Sequence, residues 1–218
     1  MRPYVIQEGD YLTKLAFRLR FSEEEIWSHP RNARLKELRK NGNLLAPGDI
    51  LFVPDPEAPA RRRPLSVGDA NRYEVSIPTV AVTMVLADDR GKPFASEPYV
   101  VEGLGRRVAG ETDADGKVTV EVPVRVREVQ VLLHERDLAF PVMVGDLDPV
   151  EVPTGVIGRL EHLGYFGWSC GLGPTPYHVP EGDRLREAIS AFQSDHRIQP
   201  TGVMDDETRS ALVAAHGG

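Results

Sequence analysis

The chain has one cysteine, Cys170, in 218 residues. It therefore forms no internal disulfide and no cysteine-based metal cluster. No apolar run approaches the ~20 residues that span a bilayer, so membrane insertion is not expected. A basic n-region with an apolar stretch behind it is also missing: Met1, Arg2 and Pro3 lead straight into the first predicted strand. The expectation is a protein made in the cytoplasm without a signal peptide. Nor is there an excess of basic charge. The formal net charge is -7. Basic and acidic residues balance over 1–57, and acids outnumber bases over 64–153 and 154–218. A nucleic-acid binder usually carries a basic face, so nucleic acid is not an expected partner.

Catalytic signatures are equally scarce. There is no H-E-x-x-H, and the 6 histidines are scattered, so neither a zinc peptidase site nor any other metal or cofactor is expected. A glycosidase needs two carboxylates across a cleft, whereas the acids here fall in turns, helix starts and alternating strand faces. Cys170 and His178 share one loop, but the surroundings of a nucleophilic cysteine are missing. No catalytic residue is assigned, and the chain is not expected to be an enzyme.

What is present divides into an α+β multidomain chain. Residues 1–54 read as strand, helix, helix, strand. Leu12, Leu15, Ala16 and Leu19 recur at i, i+3, i+4 and i+7, one helical face. Ser22 with Glu25 forms a capping box that starts a second helix. Pro30 interrupts it, helical spacing resumes through Leu35 and Leu38, and Asn41-Gly42 stops it. Residues 55–71 hold the Pro/Arg-rich tether "PDPEAPARRRP", where proline favours extended backbone.

Over 72–152 the period changes to two. Tyr73, Val75 and Ile77 alternate with polar residues, as do Val118, Val120 and Val122. Turn signals in "DDRGKP" and "TDADGK" separate six or seven short strands of a β-sandwich. Asp113 and Asp115 offer too few oxygens for calcium and read as a turn. Residues 153–218 are helical. Val156, Leu160 and Leu163 share one face, and Leu185, Ala188, Ile189 and Phe192 share another. A third helix, "DDETRSALVAAHG", has acids in its first turn and Gly217 near its stop.

Two segments resemble known cell-wall modules. "YVIQEGDYLTKLAFRL" followed by "LLAPGDILFVP" resembles a LysM domain. That resemblance implies a βααβ fold and a partner in peptidoglycan or another N-acetylglucosamine-containing glycan. Its groove would map to Gly9, Asp10, Tyr11, Leu12, Asn43, Leu44, Leu45, Ala46, Pro47 and Gly48. "GVIGRLEHLGYF" and "AISAFQSDHRIQPTGVMDDETRSALVAAHG" resemble a small three-helix peptidoglycan-binding domain. That likeness implies a noncatalytic wall contact, with Tyr165, Trp168 and Tyr177 as candidate sugar-stacking aromatics. The middle segment is similar to transthyretin-like or carboxypeptidase-regulatory-like sandwiches, which implies a spacer. The order of the three resembles proteins that accompany contractile injection machines of the type VI secretion or phage-tail-like kind. The expected function is noncatalytic cell-wall binding through two glycan-binding modules. The alternatives are an adaptor or cargo-associated part of an injection system, which would deliver the protein to the envelope, and an unrecognised wall hydrolase.

Overall fold

The computed structural model describes residues 1–55, 67–68, 70, 76–88, 91–166 and 182–216. Most of the tether, Tyr73, Val75, Trp168, Cys170, Tyr177, His178 and Gly217 lie outside the described residues.

The apolar stripe over Leu12–Leu19 forms helix α1 (Leu12–Leu19), with Leu12, Leu15 and Ala16 buried. The helix ends where Arg20 turns left-handed at φ 65°. The backbone N–H of Phe21 then returns to the carbonyl of Ala16 at 3.0 Å, which satisfies an otherwise orphaned helix-end acceptor. Helix α2 (Glu23–Trp27) starts on the capping box of Ser22 and Glu25, with both reciprocal bonds formed. A short 3-10 turn over Pro30–Asn32 leads into α3 (Ala33–Arg39). Strands β1 (Arg2–Val5) and β2 (Ile50–Val53) pair antiparallel, Arg2 opposite Val53 and Val5 opposite Ile50. Buried Asn32 locks helices to sheet. Its amide donates to the carbonyls of Ile26 (2.7 Å) and Phe52 (2.9 Å) and accepts from the Phe52 N–H (2.8 Å). Leu38, which continues the helical spacing from Leu35, is 51 % exposed. With α3 confined to Ala33–Arg39, Leu35 alone reaches the core, and Leu38 falls at the edge of the stripe.

The middle domain has six described strands: β3 (Thr79–Val85), β4 (Pro98–Glu102), β5 (Val108–Glu111), β6 (Lys117–Pro123), β7 (Glu128–Leu133) and β8 (Leu138–Met143). β3 pairs with β6, and a second antiparallel sheet runs β5-β4-β7-β8. Val118, Val120 and Val122 point inward while Lys117, Thr119 and Glu121 point out, as a period of two requires. The inward residues of both sheets share one apolar core. In the turn before β6, one carboxylate oxygen of Asp113 accepts the N–H groups of Asp115 (2.9 Å) and Lys117 (2.8 Å). That carboxylate is occupied in shaping the hairpin.

The last core joins α4 (Pro153–His162), α5 (Gly182–Asp195) and α6 (Asp206–His216) through Val156, Leu160, Ala188, Ile189, Phe192 and Leu212. Arg159, 1 % exposed, donates to the carbonyls of Asp148 (2.8 Å) and Gly155 (2.9 Å) and so holds the incoming chain on α4. That approach needs a residue without a β-carbon. A β-carbon at Gly155 would lie 2.0 Å from the Pro149 carbonyl oxygen and 2.6 Å from that of Asp148. Replacing Gly155 by Ala is expected to destabilise this domain by about 1–3 kcal/mol, the usual cost of overpacking against a rigid neighbour. Urea unfolding of the Gly155→Ala chain beside the parent measures it.

Candidate functional site

Tyr11 enters α1 without a capping side chain, so the cap comes from the other loop. Asn43 Oδ1 accepts both the backbone N–H and the hydroxyl of Thr13, each at 3.0 Å. The two loops that would frame the proposed glycan groove are thus tied together at the helix start. Asp10 is consumed there as well. Its carboxylate accepts the Tyr4 hydroxyl (2.6 Å) and the Gln7 N–H (3.2 Å) and lies 3.6 Å from Arg18. Gly9 holds φ 74°, and its carbonyl accepts a hydrogen bond from the Lys14 ammonium. Burial pushes the Lys14 pKa down, against the opposing pull of Asp10.

Of the ten residues assigned to the groove, Asn43, Leu44, Pro47 and Gly48 reach solvent, and the other six are buried. Leu12 and Leu45 belong to the hydrophobic core. The Ala46 N–H is given to Asp49 at 2.9 Å. Tyr11 is 3 % exposed and burial raises its pKa. The cover comes from the middle domain. The Tyr11 hydroxyl lies 3.5 Å from the Val124 carbonyl. Its ring sits where a β-carbon on Gly145 would approach it to 2.8 Å. In this structure the face over Gly9–Leu12 is therefore covered, because the large aromatic at position 11 packs against Gly145 and the Val124 carbonyl.

In the C-terminal domain Tyr165 is half-buried. Its ring meets Phe192 edge-on, with centroids 5.4 Å apart, and its hydroxyl donates to Asp195 at 3.1 Å. Burial, with Asp195 nearby, pushes its pKa up to about 12, so it stays a neutral donor. Trp168 and Tyr177, the other two candidates, lie outside the described residues. Beside Tyr165 a cavity of about 350 Å³ is lined by Phe166, Arg184, Glu187, Ala188 and Ala191. Of the α5 members, sequence reasoning placed Ala188 on the core face and did not single out Arg184, Glu187 or Ala191. They do carry a signal: 184, 187 and 191 repeat with core residue 188 at i, i+3, i+4 and i+7, a stripe along the edge of the core face of the same helix.

The α5–α6 connection is organised by Gln193, which has no exposed surface. Its amide nitrogen donates to the Val203 carbonyl (2.9 Å) and the hydroxyls of Thr208 (2.9 Å) and Thr201 (3.2 Å). Its oxygen accepts the Gly202 N–H at 2.9 Å. Asp205 then caps α6 through the Thr208 N–H at 2.8 Å, and these bonds from Thr208 hold its carboxyl below the usual range. Where α4 and α6 end, His162 Nδ1 lies 2.9 Å from His216 Nε2, with the rings stacked.

Residues 156–212 match the sequence profile of the family described as "Putative peptidoglycan binding domain". The match runs from α4 into α6 and includes the cavity lining and the Gln193 network. Comparisons with curated proteins and with solved structures each found no match. The family match supports a C-terminal peptidoglycan-binding domain and, with it, cell-wall binding. Among the described residues no helix is long and apolar enough to cross a membrane.

Two outcomes follow for this domain. Replacing Gln193 by Leu keeps the volume but strands a buried N–H, a carbonyl and two hydroxyls. It is expected to cost on the order of 3 kcal/mol, read as a lowered unfolding midpoint. The second concerns pH. Burial, with His162 and Arg159 nearby, lowers the His216 pKa from 6.5 to about 4. Burial also lowers that of His162, which keeps an exposed edge and so contributes less. The unfolded chain takes up these protons first as pH falls. The contribution to stability is therefore complete above about 6.5 and declines towards about 4. Melting followed from pH 7.5 to 4.5 should show the decline, and His216→Phe should flatten it.

Proposed function

We propose that the protein is a noncatalytic cell-wall binder whose contact with peptidoglycan is made on the cavity between Tyr165–Phe166 and α5. The family match over this domain carries the reading. The chemistry of the lining supports it. Two aromatic side chains offer a wall for a sugar face or methyl group, and Ala188 and Ala191 offer a small apolar floor. Arg184 and Glu187 stand at the rim with exposed side chains, suited to the carboxylates and amines of a stem peptide. A noncatalytic role is consistent with the use of Asp10, Asp113 and Asp205 in turns and caps.

In the fuller form of this reading, the N-terminal module supplies a second contact, to N-acetylglucosamine-containing glycan. Two weak contacts on one chain gain through effective concentration. A second reading makes the chain an adaptor or cargo-associated part of a contractile injection system that carries it to the envelope. It draws support from the order of the segments and from Tyr11, whose face is engaged in protein contact.

Sedimentation with purified sacculi tests the first reading. Reversing both rim charges, Arg184→Glu with Glu187→Lys, should lower the bound fraction by about fivefold or more, on the order of 1 kcal/mol, while leaving the melting temperature unchanged. If this variant sediments as the parent does, the cavity is not the wall contact. Recovery of injection-apparatus proteins from a lysate, with no affinity for sacculi, would favour the adaptor.

A further inference from the structure

We propose that the Gly9–Leu12 face of the N-terminal module is a docking surface for the chain's own middle domain, and that the intact chain keeps this face closed. The contact has an anchor and a charged rim. The anchor is Tyr11, 3 % exposed, packed on Gly145 and directed at the Val124 carbonyl. Gly145 takes φ 89°, so the backbone turns tightly at the point where the ring needs room. A β-carbon there would also stand 3.3 Å from the Gly9 carbonyl oxygen.

The rim repeats the pairing of the same two domains. A β-carbon on Gly9 would lie 3.2 Å from the Arg127 guanidinium and 3.3 Å from the Asp146 carboxylate, which are themselves 3.7 Å apart. Arg125 lies over the Phe17 ring at 5.1 Å. Arg39, its side chain 6 % exposed, joins Asp49 of its own module (2.8 Å) to Glu151 at the end of the middle segment (3.5 Å). A buried aromatic ringed by polar contacts is the layout of a specific interface. Its polar part is weak: the tyrosine bond is at the limit of length, and the rim arginines 125 and 127 are exposed. Such a contact can open without unfolding either domain.

The consequence for glycan rests on the reading of the N-terminal module as glycan-binding. Closed, the chain presents the wall with its C-terminal domain alone. The second contact becomes available when the middle domain lifts away.

The test uses the full chain and the double variant Arg125→Glu/Arg127→Glu. Both changes lie on the middle domain and leave Gly9–Leu12 intact. One removes the cation from the Phe17 face, and the other sets two carboxylates together at Asp146. Hydroxyl-radical footprinting at Tyr11 reports docking directly. The parent should be protected, and the variant labelled at least fivefold faster. Binding of an N-acetylglucosamine hexamer is measured in parallel and should tighten at least fivefold in the variant. Protection released in the variant without hexamer binding upholds the docking surface and removes glycan from this module only. Tyr11 labelled in the parent as fast as in the variant overturns the proposal, as does measurable hexamer binding of equal affinity in the two. Sacculus sedimentation of the Arg184/Glu187 variant reports separately on the C-terminal contact, so the two readings can fail independently.

Discussion

A primary amide with no exposed surface must find a partner for every donor and for its oxygen, or the domain around it is penalised. Gln193 meets that demand through Thr201, Gly202, Val203 and Thr208. The consequence reaches well beyond one side chain. The α5–α6 connection is drawn in over the amide, α6 begins at a fixed place, and Phe192 beside it is held in the core. The spacing of Phe-Gln, Thr-Gly and Asp-x-x-Thr thus has a mechanical meaning. The glutamine supplies the amide, the loop supplies a close backbone N–H, and the threonine supplies a hydroxyl one turn into α6. With the scaffold rigid, the exposed stripe of α5 can hold Arg184 and Glu187 at defined places beside Tyr165.

The N-terminal module shows a different economy. Its fold is secured by apolar packing and by Asn32 and Asn43, two amides that tie separate segments together. Tyr11 lies with Gly9 where the first loop meets the next domain, and its burial converts a candidate ligand face into an internal joint. Loops that surround a helix start are well placed for either use, because their backbone groups and small residues allow close approach. The side chain at position 11 decides between them here.

Much of this was legible in the linear chain. The stripe of Leu12, Leu15, Ala16 and Leu19, the capping box at Ser22 and the alternation through Val118–Val122 are local patterns, and the structure forms each of them. The candidate sites were less legible. Leu38 obeyed a helical spacing yet stayed exposed, and Leu45 read as a groove wall yet belongs to the core. Arg184, Glu187 and Ala191 lay in a stripe that sequence reasoning passed over, since a polar stripe on an amphipathic helix is ordinarily just its wet face.

The sequence by itself determined the order of the main described elements and most of the buried stripes, because periodicity and capping act within a few residues. It also bounded the chemistry through its lone cysteine and its net charge of -7. Tertiary structure alone decided which faces stay open. Gly145 and Val124 lie more than a hundred residues from Tyr11 in the chain, yet they cover it. Contact across that separation depends on how whole domains pack, and no local pattern records it.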